Sequence, residues 1–89
     1  MARATRRIVN VKGLHARASA RLVETVERFD ATATIARDGE TASGDSIMGL
    51  LMLAASMGSD VEVETAGREA DALLQAIAAL VADRFGEGG

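Results

Sequence analysis

Apolar and polar positions change period several times along the chain, and each change marks an element. Ile8 to Val11 is a short β-branched run, predicted as a first strand and broken by Gly13. From about Ala16 to Arg28 the period lengthens. Ser19, Leu22, Val23 and Val26 share one stripe there, and Arg21, Glu24 and Arg28 the other, as on an amphipathic helix. Thr32 to Arg37 alternates, with Ala33 and Ile35 on one face. Asp38-Gly39 then signals a hairpin whose return strand is Glu40 to Ser43.

Ile47, Leu50, Leu51 and Ala54 have the spacing of a short helix that begins after Gly44-Asp45-Ser46 and ends before Gly58. Asp60 to Thr65 alternates again, Val61 and Val63 inward, Glu62 and Glu64 outward. After Gly67, Ala70, Leu73, Leu74, Ile77, Leu80 and Val81 form the most continuous apolar helical face in the chain. Residues 86–89, three glycines and Glu87, are predicted to be a flexible tail. The order is βαββαβα. It predicts an α+β, two-layer, open-faced sandwich: a four-stranded antiparallel sheet with three helices on one face. Periodicity leaves the strand order open, and a ferredoxin-like arrangement would read much the same.

Composition narrows what such a fold can do. Eighty-nine residues make one domain, burying about 60–65% of the surface its unfolded chain exposes. Phe29 and Phe85 are the only aromatic residues, so the core is aliphatic and stacking on nucleic-acid bases is not expected. With no cysteine and a single histidine, neither disulfides nor a thiolate or polyhistidine metal site is available, and no metal or cofactor is predicted. The longest apolar run, Leu50 to Ala55, falls far short of a membrane span. The stretch after Arg3, Arg6 and Arg7 is no signal peptide. The expectation is a soluble, cytoplasmic monomer.

The net charge of −3 hides an asymmetry, because residues 1–28 carry seven of the ten basic side chains and only two of the thirteen acidic ones. Scattered solvated charge is one reading; a positive field that steers acidic partners is the other. The only histidine, His15, lies in that field, between Gly13 and Arg17 at the start of the predicted helix. Backbone N–H groups there lack intrahelical partners and, with the positive end of the helix dipole, form an anion site. The plainer reading makes His15 a solvent-exposed helix cap.

Three features together resemble one family. Gly13-Leu14-His15-Ala16-Arg17, the stretch Ser46-Ile47-Met48-Gly49-Leu50-Leu51 and the βαββαβα order are similar to HPr, the histidine-containing phosphocarrier of the phosphotransferase system, and equally to its nitrogen-branch relative NPr. The resemblance runs from about Arg6 to Val81. It implies that His15 accepts a phosphoryl group from Enzyme I and passes it to an Enzyme II A-type domain, with no turnover of its own. The amides of Ala16 and Arg17 and the Arg17 guanidinium would hold the phosphoryl oxygens. Ser46 would be a regulatory phosphorylation site, used in some lineages by an HPr kinase/phosphorylase; its plainer role is an N-cap. Ile47, Met48 and Leu51 would be a docking patch, or in part core. The family usually has proline after the arginine, where this chain has Ala18. A regulatory protein that acts by binding, switched at His15 or Ser46, is the alternative.

Overall fold

A computed structural model describes residues 1–88 of the chain; Gly89 lies outside the described residues. Four strands, β1 (Ala2–Arg7), β2 (Thr32–Arg37), β3 (Glu40–Ser43) and β4 (Asp60–Ala66), form one sheet in the order β1-β4-β2-β3, with every neighbouring pair antiparallel. Helices α1 (Ala16–Glu27), α2 (Ile47–Met52) and α3 (Ala70–Ala82) complete the predicted βαββαβα order. Since β1 and β2 both run against β4, the β1–α1–β2 crossover straddles β4, and the β3–α2–β4 crossover straddles β2 in the same way. The two crossovers interlock. This fixes the strand order that periodicity left open.

The alternation read in the sequence decides which face is covered. Ala33 and Ile35 of β2, Ala42 of β3, and Val61, Val63 and Thr65 of β4 are all buried. All of these except Thr65 meet Leu22 and Val26 of α1, Leu50 of α2, and Leu73, Ile77 and Val81 of α3 in one cluster. Two buried hydroxyls find partners: that of Thr65 donates to the Ala70 carbonyl at 2.7 Å, and that of Ser19 to the Leu14 carbonyl at 3.2 Å. An unmade bond in such a place would cost about 1–3 kcal/mol. The other face carries ion pairs, Arg3 with Glu62 and Glu64 and Arg7 with Asp60.

Two sequence expectations need correction. The first strand is Ala2–Arg7, and Ile8–Val11 is the connection that follows it. Ala2 and Ala4 point toward the covered face opposite Thr65 and Val63, while Arg3 and Arg7 stand opposite Glu64 and Asp60. That cross-strand pairing outweighs the higher β-propensity of the Ile-Val-Asn-Val run. Ile8 goes into the core just past the strand end, and Val11 stays 64% exposed.

The second correction concerns the end of the chain. A tight turn at Arg84–Gly86 follows α3 and seats Phe85 at 0% exposure in the core. Gly86 and Glu87 donate their N–H groups to Asp83 and Arg84, so the tail expected from Gly86 is tied down through Glu87. An aromatic side chain with nowhere else to be buried outweighs the flexibility that glycine-rich composition suggests.

Candidate functional site

His15 is set by the loop that leads into α1. Asn10 opens a turn closed by a bond from the Gly13 N–H to its carbonyl, and its side-chain amide donates to the Gly13 carbonyl at 2.8 Å. Gly13 adopts φ +65°, and Leu14 donates to the Ala55 carbonyl at 2.9 Å. The chain then straightens at His15 (φ −75°, ψ −179°), whose carbonyl accepts the first helical bond, from Ser19 at 2.9 Å. That leaves the N–H groups of the first helical residues, Ala16, Arg17 and Ala18, without helical acceptors. No acidic side chain lies in the first turn to occupy them. Ala18 is fully buried there. It keeps the helix start without the fixed φ of proline, being the best helix former.

The imidazole does not cap the helix. Its Nε2 instead bonds the Glu87 carboxylate, which also accepts from the Asn10 side-chain amide at 3.0 Å. The ring is 28% exposed and Glu87 only 14%. The His15 contact, and after it the Asn10 amide, holds the Glu87 carboxyl below its usual range against the opposing effect of burial. His15 is thus the N-cap residue by position, while its side chain is committed elsewhere.

His15 and Glu87 share an open cavity of about 490 Å³ with Lys12, Arg17 and Arg21. Arg17 and Arg21 stand four residues apart, on one side of α1, so both reach the same mouth. Three cations against one carboxylate give the cavity a positive balance. The positive field expected from the sequence is thus focused at the histidine. Arg21 was not singled out in the sequence, although its spacing from Arg17 would have shown it. Glu87 carried no such signal, lying 72 residues from its partner.

Ser46 and the side chains of α2 do not line this cavity. Ser46 is the N-cap of α2, half-buried, its hydroxyl oxygen accepting from the Gly49 N–H at 3.1 Å. Ile47 and Met48 are 39% and 69% exposed, Leu51 is half-buried, and Leu50 is in the core. Met52, at 77% exposure, extends the apolar surface beyond the residues picked out in the sequence. Ala54, expected to continue the helical stripe, lies past its end in left-handed backbone. The packing of α1 on α2 sets this surface and the His15 cavity on neighbouring parts of the molecule.

Residues 2–83 match the family described as "PTS HPr component phosphorylation site". The phosphocarrier protein HPr of Cupriavidus necator is 46% identical over 81 residues, 91% of each chain. The phosphocarrier protein NPr of Shewanella violacea is 45% identical over 80 residues, 90% of this chain and 88% of that one. Among solved structures, HPr from Thermoanaerobacter tengcongensis superposes with a TM-score of 0.95 at 31% identity, covering 100% of both chains. Among the described residues of this chain, no helix is long and apolar enough to cross a membrane.

Proposed function

The chain belongs to the HPr family of phosphocarriers of the phosphotransferase system, and on that premise we propose that His15 carries the phosphoryl group, received from Enzyme I and delivered to an Enzyme II A-type domain. The observation that carries this reading is the state of the ring. Nε2 is engaged with Glu87; in the neutral ring whose proton meets that carboxylate, Nδ1 keeps the free lone pair, and the ring lines a cavity with Lys12, Arg17 and Arg21. Attack by Nδ1 on phosphorus forms the N–P bond, while the donor's bond to phosphorus breaks and its electron pair leaves with the donor. The amides of Ala16 and Arg17 and the Arg17 guanidinium take the phosphoryl oxygens. Delivery runs the same step in reverse.

The protein acts in the cytoplasm as a monomer and as substrate for its partners rather than as an enzyme. Ile47, Met48 and the exposed part of Leu51, with Met52 beside them, form the apolar part of the docking surface, and the cations around His15 attract an acidic rim on the partner. Ser46 serves as a cap and, where an HPr kinase/phosphorylase is present, as a regulatory phosphorylation site. A purely regulatory binding protein is the less favoured alternative, since the relatives matched in sequence are phosphocarriers.

The test is incubation with Enzyme I and labelled phosphoenolpyruvate. An acid-labile, base-stable phosphoryl label that disappears in His15→Ala supports the carrier reading. Acid-stable label at equal yield in the variant would sink it.

A further inference from the structure

Every methionine of this chain lies outside the core. The four side chains, Met1, Met48, Met52 and Met57, are 87%, 69%, 77% and 55% exposed, and the buried cluster is built from Ile, Leu, Val, Ala and Phe alone. Methionine ordinarily fills irregular gaps in a core. Along α2 and its C-cap the division is sharp: Leu50 and Leu53 are buried, while Met48 and Met52 stand out into solvent. Four residues apart on one helix, those two thioethers lie on the same side. They share the apolar surface with the exposed part of Ile47. Composition sets them apart chemically as well. The chain has no cysteine, tryptophan or tyrosine, so methionine carries all of its sulfur, and exposed thioethers are a common site of oxidation.

We propose that Met48 and Met52 are an oxidation site that switches docking: a hydroperoxide converts their thioethers to sulfoxides, and the protein stays folded but binds its phosphoryl donor weakly. The inference rests on the reading of the α2 surface as the docking surface. In the step itself a sulfur lone pair attacks one peroxide oxygen, the S–O bond forms and the O–O bond breaks. The second oxygen leaves as water or an alcohol, taking up the proton, so sulfur loses two electrons and the peroxide gains them. The sulfoxide keeps the length of the side chain but adds a polar oxygen. In the free protein that oxygen is solvated, and the fold is indifferent to it because neither sulfur packs in the core. Against an apolar patch on the partner it loses its water with no donor to replace it, so the penalty falls on the complex alone. Thiol-dependent sulfoxide reductases return the thioether, which makes the change reversible. Met57, exposed in the turn from Ser56 to Ser59, is an internal reference away from α2.

The test treats the full-length protein with hydrogen peroxide and follows oxygen uptake at each methionine by peptide mass. Met48 and Met52 should be oxidised no more slowly than Met57. The oxidised protein should melt as the untreated one does and bind Enzyme I more weakly by about tenfold or more. Binding should recover when methionine sulfoxide reductases and a thiol are added. The double variant Met48→Leu with Met52→Leu sets its own baseline, and peroxide should not move it; Met57→Leu should stay as sensitive as wild type. Unchanged affinity after oxidation overturns the proposal. So does an equal peroxide loss in the double leucine variant, a loss matched by the unfolded fraction, or oxidation of Met57 that leaves Met48 and Met52 untouched. Met48→Glu, without oxidant, separates this inference from the docking reading, since a charge there should itself weaken binding. Wild-type binding by that variant overturns the docking reading and this inference with it. Weakened binding by the variant, beside a wild type that tolerates oxidation, overturns this inference alone.

Discussion

Gly13 lies against Ala55 so closely that a Cβ added to it would come 2.4 Å from the Ala55 carbonyl oxygen, the same oxygen that accepts the Leu14 N–H. The approach is between backbones, and Gly13 also has φ +65°, so there is no flexible side chain to move aside. Gly13→Ala combines this clash with a left-handed penalty of about 1–2 kcal/mol. The expected outcome is a loss of at least about 2 kcal/mol in denaturant unfolding, and phosphoryl transfer slowed by more than the unfolded fraction explains. Transfer that tracks the folded fraction alone would show that the loop does not aim His15.

His15→Ala should abolish transfer while leaving the fold in place. The imidazole caps nothing, and the backbone bonds at position 15 survive truncation. Thermal unfolding should shift by only a few degrees, equivalent to about 1 kcal/mol or less in a domain of this size. A larger drop would mean that the contact with Glu87 is chiefly structural.

Arg17 lines the cavity with its neighbours Lys12 and Arg21, but it is the one that follows His15 in the first helical turn. If its guanidinium meets the phosphoryl oxygens in transit, Arg17→Ala loses a charge-assisted bond worth about 1.5–3 kcal/mol, or roughly one to two decades in rate. Partner affinity should fall by much less. Measuring both on one variant decides between a transfer role and simple docking.

At position 46 two effects oppose each other. Ser46→Ala removes the oxygen that caps Gly49 and should cost about 1 kcal/mol. Ser46→Asp keeps an acceptor there and should melt no lower than wild type, yet its charge beside Ile47 and Met48 should slow phosphate acceptance through desolvation and repulsion of an acidic partner. An Asp variant that is both destabilised and slow only in proportion would leave Ser46 a cap and nothing more.

The Glu87 carboxyl gives an acid signature. Its pKa in the folded protein lies below the usual 4.5, the His15 bond being the main cause. A group with a depressed folded pKa adds stability that is fully present above its unfolded pKa and is lost as pH falls through the folded value. Wild type should therefore lose stability below about pH 4.5 more steeply than Glu87→Gln, and the two curves should converge at strongly acidic pH. Parallel acid limbs would mean that the pair adds no stability in solution.

Which of these features the sequence disclosed depends on the range of the interaction. The α3 face from Ala70 to Val81, the Asp38-Gly39 hairpin and the start of α1 after His15 are local, and periodicity finds them. The first strand was misplaced because Ile8–Val11 looks more β-like than Ala2–Arg7, whose pairing depends on β4, about sixty residues away. Glu87 was missed for the same reason. Three glycines around it suggest fraying, and nothing nearby tells that Phe85 reaches the core.

The uncovered face and free border of the sheet carry a further consequence. Among the described residues β1 pairs only with β4, so one side of its backbone meets no second strand, and there the Thr5 carbonyl accepts from the Arg6 guanidinium at 2.9 Å. Such a border is a template for aggregation unless charge guards it. Arg3, Arg6 and Arg7 all sit on β1, and two copies meeting there would bring arginines against arginines. β3 at the opposite border is only four residues long, too short to recruit much. The residues that gave the N-terminal segment its positive charge also keep the sheet from growing.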